Sequence, residues 1–205
     1  MTIRTPNDVL SFMDTIEYGW VDNKNNIHYE MEGFRKDYRT MSIKKTLDYH
    51  VGTCIEQSIL IKYLLDEIGI PNEVYCCRIY EDENFNDLNA KERMHCFVLF
   101  YQDGKVHQLE HPDPQRRGIH DFESKEDAIA FLVKHYEKMT TYDYKEKGVL
   151  VKYEDVKRTV TKFDSVKEGL TYKEFNLYIN NLDVYKKIVK KEGDNLWKKF
   201  KKRKI

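Results

Sequence analysis

The clearest hydrophobic pattern in the chain lies between Thr53 and Pro71 and predicts a buried helix. Apolar residues recur there every three or four positions, which is the spacing of one helical face. They are Ile55, Ile59, Leu60, Tyr63, Leu64 and Ile68. Thr53 and Glu56 form a capping box at the start, and Gly69 and Pro71 predict the end. Since the helix is apolar over much of its surface, we expect it to be central and buried.

Three runs of strand-forming residues follow this helix. They cover residues 74–80, 94–101 and 106–110. The polar stretch 81–93 between the first two runs predicts a surface loop. The second and third runs are joined by Asp103-Gly104, a dipeptide that favours tight hairpins with positive φ. We therefore expect His95 and Glu110 on neighbouring antiparallel strands.

Further helices are predicted where a capping residue precedes apolar residues at helical spacing. These helices begin near Thr5, Ser42, Ser124 and Thr171. Residues 149–153 predict an additional strand, and the lysine-rich stretch from Lys186 onward predicts a helical tail. We accordingly expect a folded core over residues 1–140, followed by a mostly helical accessory segment with a basic tail over residues 141–205.

Charge and composition argue against several classes of protein. The chain contains 35 Lys or Arg residues and 35 Asp or Glu residues, so its overall field is weak and we expect no nucleic-acid binding. The sequence has no apolar run of the ~18 residues that a membrane span needs. The N-terminal residues lack the apolar region of a secretory signal, and we expect a cytoplasmic protein.

The four cysteines do not form a metal-binding pattern. Cys54, Cys76, Cys77 and Cys96 include no pair separated by two residues, which disfavours a zinc site. We therefore predict no metal and no cofactor. In a reducing compartment all four cysteines should be free thiols.

Cys54 is the cysteine with the best reason to be a thiolate, because it occupies the first turn of the predicted buried helix. Free N–H groups and the positive end of the helix dipole stabilise a thiolate there. Gly52 and Thr53 leave room for backbone donors that can stabilise an oxyanion. The alternative interpretation is an inert buried cysteine, which is common in protein cores.

His95 is the candidate base for this thiol. A cysteine nucleophile needs a base within hydrogen-bond reach, and the base needs a group that orients it. His95 lies on a strand against which the cysteine helix would pack, and Glu110 ends the partner strand. The alternative interpretation is a histidine that belongs only to the core or the surface.

Two segments, GTCIEQSILIKYLLDEIGIP and MHCFVLFYQDGKVHQLEHPDP, together resemble the transglutaminase-like superfamily. In that family a cysteine opens a helix that ends in a Gly-Ile-Pro-like turn, then come a strand with histidine and a strand that ends in an acid before proline. The resemblance covers about residues 42–122. It implies an α+β, papain-like fold in which the Cys54 helix packs on a small antiparallel sheet, with a helical C-terminal extension.

The resemblance assigns roles to individual residues. Cys54 matches the nucleophile, His95 matches the base, and Glu110 matches the orienting acid, which is usually aspartate in the family. His111 is an alternative third member, and Asp113 is a weaker one. Separate candidates for the pocket are Trp20, Tyr49 and His50, with ordinary packing as the alternative.

The chemistry that the resemblance implies is acyl transfer through a thioester. A thiolate attacks an amide or ester carbonyl, and water or an amine then resolves the thioester by hydrolysis or transamidation. The substrate would be a peptide, a protein or a small amide. Two other functions stay open at this point. One is a catalytically silent binding module of the same fold, and the other is an adaptor for anionic surfaces that uses the basic residues 198–204.

Overall fold

A computed structural model describes residues 2–80, 92–146, 157–182 and 186–188 of the chain, with the side chains of 137–146 and 186–188 excepted. These residues form a mixed α+β fold in which helices cover both faces of an antiparallel sheet. The expected α+β class is therefore confirmed. None of the described helices is both long enough and apolar enough to cross a lipid bilayer.

The described residues contain six helices and ten strands. The helices are α1 (Pro6–Met13), α2 (Phe34–Asp37), α3 (Ile43–Tyr49), α4 (Cys54–Glu67), α5 (Lys125–Glu146) and α6 (Tyr172–Asn180). The short strands are β1 (Glu17–Tyr18), β2 (Trp20–Val21), β3 (Ile27–His28) and β4 (Val51–Gly52). The main sheet contains β5 (Asn72–Tyr80), β6 (Glu92–Gln102), β7 (Lys105–Glu110), β8 (Gly118–Phe122), β9 (Lys157–Phe163) and β10 (Lys186–Ile188).

The main sheet is antiparallel throughout and has the strand order β10-β9-β5-β6-β7-β8. Successive residues of a strand point to opposite faces of the sheet. The two central strands, β5 and β6, therefore contribute side chains to two apolar clusters, one on each face. Val74 and Val98 pack under α4, together with apolar residues of α1 and α6. Tyr75 and Phe97 point the other way and pack against α5. The result is a three-layer arrangement with α4 on one face and α5 on the other.

The predicted central helix is confirmed as α4, with the predicted signals at both ends. Thr53 is its N-cap, and the capping box with Glu56 is formed. Gly69 has a φ of 73°, the left-handed conformation in which glycine is favoured after a helix. Leu60 and Leu65 are fully buried, so the apolar pattern reports a helix that is covered by protein.

The predicted hairpin is confirmed at Asp103 and Gly104. Their φ angles are 52° and 74°, so both lie in the left-handed region that a tight two-residue turn requires. The turn closes β6 onto β7, with Gln102 opposite Lys105. This register brings the end of β7, and with it Glu110, back beside the part of β6 that carries His95.

Removal of the Glu56 side chain is expected to destabilise the fold far more than removal of the Glu174 side chain. Both residues complete capping boxes, but only the carboxylate of Glu56 is buried. It accepts hydrogen bonds from the N–H and hydroxyl groups of Thr53, from the Tyr38 hydroxyl at 2.5 Å and from the Met41 N–H at 3.2 Å. We expect a loss of about 3 kcal/mol for Glu56→Ala, because several buried donors lose their acceptor.

The matched control is Glu174→Ala, for which we expect a loss of about 1 kcal/mol because water can replace an exposed cap. Urea unfolding of both variants measures the two free energies of unfolding. Equal losses in the two variants would show that the buried Glu56 network adds nothing beyond an ordinary cap.

The C-terminal third differs from the expected helical accessory segment. Residues 157–163 form β9, which pairs with β5 along most of its length. Phe163 and Phe175 belong to the same apolar cluster as Cys54, so this part of the chain completes the core. The expected boundary at residue 140 also falls inside α5. The reason is that β5 has two edges to pair, and sequence patterns do not reveal which distant strand fills the second one.

Two elements differ from the expectations, and three further expectations lie wholly or mostly outside the described residues. Lys186–Ile188 form β10 on the edge of β9, where the sequence predicts a helix, because pairing with an open sheet edge outweighs a weak local preference. The strand β8 is not predicted, since its short run contains Gly118 and the charged Asp121. The strand expected at 149–153 and the tail beyond residue 188 lie outside the described residues, as does most of the loop expected at 81–93.

Candidate active site

Cys54 is the first residue of α4 and borders a cavity, although only 5% of it is exposed. The chain enters the helix through β4, whose last residue is Gly52. A Cβ atom at Gly52 would lie 2.8 Å from the Cβ of Glu56, which is too close for any other residue without a shift. The glycine therefore lets the chain turn tightly into the helix and places Cys54 at the positive end of the helix dipole.

His95 and Glu110 are joined by a direct hydrogen bond. Nε2 of His95 lies 3.1 Å from Oε2 of Glu110. The carboxylate of Glu110 is buried and is fixed by three further donors. Nε2 of Gln108 donates at 2.8 Å, the Asp113 N–H at 3.0 Å and the Tyr136 hydroxyl at 3.4 Å. The ring of Tyr136 also packs against the imidazole, at a centroid distance of 4.5 Å. The imidazole orientation is thus set by a rigid acceptor and an aromatic wall.

Cys54, His95 and Glu110 form a relay of hydrogen-bonded side chains, and its second contact joins Cys54 to His95. Each of these two residues shifts the pKa of the other. Hydrogen bonds from the Cys96 thiol and from His95 hold the pKa of Cys54 well below its usual value, against the effect of burial. Burial lowers the pKa of His95, but the negative charge of Glu110 and the hydrogen bonds to Cys54 and Glu110 outweigh it and raise the pKa well above its usual value. Both shifts therefore favour a thiolate beside an imidazolium over the neutral pair.

The geometry also assigns the two ring nitrogens of His95. Since Nε2 faces Glu110, Nδ1 is the nitrogen left for the sulfur of Cys54. An imidazolium carries a proton on both nitrogens, so it can donate to the carboxylate and to the thiolate at once. The structure thus brings Cys54, His95 and Glu110 together in the order that the sequence analysis expects.

The alternative third members lie elsewhere. Nδ1 of His111 is 2.7 Å from Oε1 of Gln57, and its Nε2 is 3.3 Å from Oδ1 of Asp14. His111 is the neighbour of Glu110 at the strand end, so its side chain points to the opposite face of the sheet. Asp113 accepts a hydrogen bond of 2.8 Å from Nε2 of His135. Glu110 is the member of this group that contacts His95.

Two adjoining cavities flank the cysteine and the histidine. The larger cavity has a volume of about 470 Å³ and is bordered by Cys54, whereas the smaller one, of about 140 Å³, is bordered by His95. Both cavities share three lining residues, Tyr18, Arg93 and Met94. Cys54 and His95 therefore open onto different sides of one cleft.

The pocket candidates from the sequence do not line either cavity. Trp20 is buried, and its indole N–H donates to the Glu30 carbonyl at 2.8 Å. Tyr49 packs partly buried in a small apolar cluster, and His50 is exposed as the left-handed C-cap of α3. Packing is thus the observed role of Trp20 and Tyr49, whereas His50 ends α3 at the surface.

Sequence reasoning missed the residues that do line the cleft. Tyr18 stands two positions before Trp20, is 41% exposed and borders both cavities. Arg35 borders the larger cavity from α2 and donates to the Glu92 carbonyl at 3.0 Å. The local pattern does not single out Tyr18, because Glu17 and Tyr18, the two residues of β1, are both exposed.

Within the described residues, no group of three or more His, Cys, Asp or Glu side chains is arranged to hold a metal ion. The sequence matches none of the protein-family models and none of the curated proteins with which it was compared. The chemistry of the cleft must therefore be argued from its own geometry.

Proposed function

We propose that this protein is a cysteine-dependent acyl-transfer enzyme that acts on an amide or peptide substrate through a thioester. The observation that carries the proposal is the continuous relay in which Cys54 contacts His95 and Nε2 of His95 lies 3.1 Å from Glu110. A nucleophile, a base and an orienting group in contact are what this chemistry requires. The adjoining cavities provide room for a substrate.

The first step uses the thiolate of Cys54, which attacks the carbonyl carbon of a substrate bound in the larger cavity. Charge then develops on the carbonyl oxygen. The first N–H groups of a helix have no partner within that helix, so the N–H of Cys54 can donate to this oxygen. The N-terminus of α4 thereby stabilises both the thiolate before the attack and the oxyanion in the transition state.

The second step uses the proton held on His95. As the C–N bond breaks, the imidazolium protonates the leaving amine, and a thioester remains on Cys54. The smaller cavity borders His95 and lies on the side where this amine departs. Neutral His95 then takes a proton from an incoming water or amine, so that the acyl group passes to water by hydrolysis or to the amine by transamidation.

The papain-like, transglutaminase-like assignment of the fold is part of this proposal. It is supported by the order of the elements, in which a cysteine opens a helix that packs on an antiparallel sheet. The base and the acid follow on two consecutive strands of that sheet, β6 and β7. The departure from the resemblance is the third member, which is Glu110 here instead of aspartate.

We expect p-nitrophenyl acetate to give a rapid burst of p-nitrophenolate that matches the protein concentration. The reason is that a preformed thiolate attacks an activated ester faster than water then clears the thioester. Stopped-flow absorbance measures the burst, and mass spectrometry of tryptic peptides locates the acetyl group. It should be found on peptide 46–62, which contains Cys54.

Two variants make this experiment specific. Cys54→Ala should remove the burst, whereas Cys77→Ala should keep it, because Cys77 is a second buried thiol that lies along the smaller cavity. A protein without a burst, or with the acetyl group on other residues, would instead be a binding module with a silent site.

A further inference from the structure

Three of the four thiols lie together on the α4 side of the sheet. Cys76 and Cys96 stand opposite each other on β5 and β6, and both are fully buried. Cys54 joins them in one apolar cluster. The Cys96 thiol makes hydrogen-bond contact with Cys54 on one side and with Cys76 on the other. Bonds form and break at Cys54 alone in the acyl-transfer mechanism, and the Cys96 thiol takes part in it only as a hydrogen-bond donor to that sulfur.

We propose that Cys54 and Cys96 form an oxidation-sensitive thiol pair, in which attack of a hydroperoxide on Cys54 is captured as a Cys54–Cys96 disulfide. The inference rests on the proposed function in one respect, since it requires the Cys54 thiolate. It adds a modification site, and its chemical reactant is a hydroperoxide such as hydrogen peroxide.

The first step oxidises Cys54. Its thiolate attacks one oxygen of hydrogen peroxide, the O–O bond breaks, and the departing hydroxide takes a proton from the His95 imidazolium to become water. Cys54 is then a sulfenic acid, and His95 is neutral. Access favours this cysteine, because Cys54 borders the larger cavity whereas Cys96 and Cys76 have no exposed surface.

The second step forms the disulfide. The Cys96 sulfur attacks the Cys54 sulfur, the S–O bond breaks, and the Cys96 proton leaves with the hydroxyl group as a second water. The two sulfurs together lose two electrons, and the peroxide is reduced to two waters. Burial and the contacts with Cys54 and Cys76 raise the pKa of Cys96 well above its usual value, so this thiol stays protonated while Cys54 is charged.

Cys96 is the partner because of where the four thiols point. Cys77 belongs to the apolar cluster on the α5 side of the sheet, and Cys76 touches Cys96 from the neighbouring strand. Cys96 itself contacts Cys54 through both its thiol and its backbone N–H. The two sulfurs must close from this contact to a bond length of about 2.05 Å.

The test treats the whole protein with a small excess of hydrogen peroxide, blocks the remaining thiols with iodoacetamide and maps tryptic peptides without reduction. Trypsin separates the thiols into three peptides. Peptide 46–62 contains Cys54, peptide 63–78 contains Cys76 and Cys77, and peptide 94–105 contains Cys96. We expect a linked pair of peptides 46–62 and 94–105, lighter by two hydrogens than their sum. Dithiothreitol should restore iodoacetamide labelling of both cysteines.

Two variants test the assignment. In Cys96→Ala, Cys54 should pass to sulfinic acid, and dithiothreitol should no longer restore its labelling. In the matched control Cys76→Ala, the 46–62 to 94–105 link should still form. Conversion of Cys54 to sulfinic acid in the wild type as fast as in Cys96→Ala, or a link between two copies of the chain, would overturn the inference. The wild-type link is decisive even where a variant folds poorly.

The same samples separate this inference from the proposed function. Iodoacetamide labelling before peroxide reports the Cys54 thiolate alone. Fast labelling of Cys54 without a later cross-link would rule out the Cys54–Cys96 thiol pair and leave the acyl-transfer proposal intact. Slow labelling of Cys54, at the rate of an ordinary buried thiol, removes the thiolate on which both proposals depend.

Discussion

Replacement of His95 by alanine is expected to change the pH dependence of Cys54 alkylation more than its absolute rate. In the wild type the rate should be nearly constant between about pH 6 and about pH 8, because the ion pair with His95 keeps the sulfur ionised throughout this range. In His95→Ala the pKa of the thiol should move up towards its ordinary value of about 8.5, and the rate should rise by up to about tenfold per pH unit. Over these two pH units the rate should therefore rise by up to ~100-fold in the variant, whereas the wild-type rate stays nearly constant.

The shape of the profile is the appropriate readout because two effects oppose each other in the absolute rate. A thiol with a raised pKa is less ionised, but its thiolate is intrinsically more nucleophilic. Iodoacetamide labelling of peptide 46–62, followed by mass spectrometry at several pH values, gives the profile directly. His135→Ala serves as the control, since His135 hydrogen-bonds to Asp113 and should leave the Cys54 profile flat. A flat profile in His95→Ala as well would mean that the helix terminus and the Cys96 hydrogen bonds ionise Cys54 without His95.

Replacement of Glu110 by glutamine is expected to slow deacylation by about 100-fold while the burst amplitude stays near one per protein. Glutamine keeps the size of the side chain and an oxygen acceptor, so the fold should tolerate it. It removes the negative charge that raises the pKa of His95, and the imidazole becomes a weaker base towards the attacking water. The steady-state phase after the p-nitrophenyl acetate burst measures this step.

The pH dependence of the same step gives a second signature. A base must be unprotonated to act, so deacylation rises as pH passes the pKa of His95 in the acyl-enzyme. The Glu110 charge raises that pKa, and its loss in Glu110→Gln should move the rise to lower pH. His111→Gln is the matched control, because its side chain contacts Gln57 and Asp14 on the other face. A larger effect from His111→Gln than from Glu110→Gln would assign the role of orienting group for His95 to His111 instead of Glu110.

Local sequence signals were enough to predict the elements that carry the proposed relay. The start of α4 depends on Thr53 and Glu56, three residues apart, and the hairpin depends on two adjacent residues. Such signals act within one turn and need no distant partner. They place Cys54 at a helix N-terminus and bring His95 near Glu110, which is why the core of the candidate site could be proposed from sequence.

The walls of the cleft could not be predicted in the same way. Tyr18, Arg35 and Tyr172 come from three separate parts of the chain and meet at the larger cavity only after the helices have packed. The choice between Glu110 and His111 depended on which of these two side chains points to the face of the sheet where the His95 imidazole lies. Both questions concern long-range packing, on which a single sequence carries little information.

The place of β9 beside β5 has a consequence for how the chain reaches its native state. During synthesis β5, β6 and β7 emerge long before β9, so one edge of β5 must wait for a strand that is distant in sequence. Native topologies with such non-local pairing fold slowly, and an unpaired strand edge can associate with other chains in the meantime. Assembly of α4 on its sheet is therefore coupled to completion of the C-terminal third, and a partly made chain would carry Cys54 without a finished cleft.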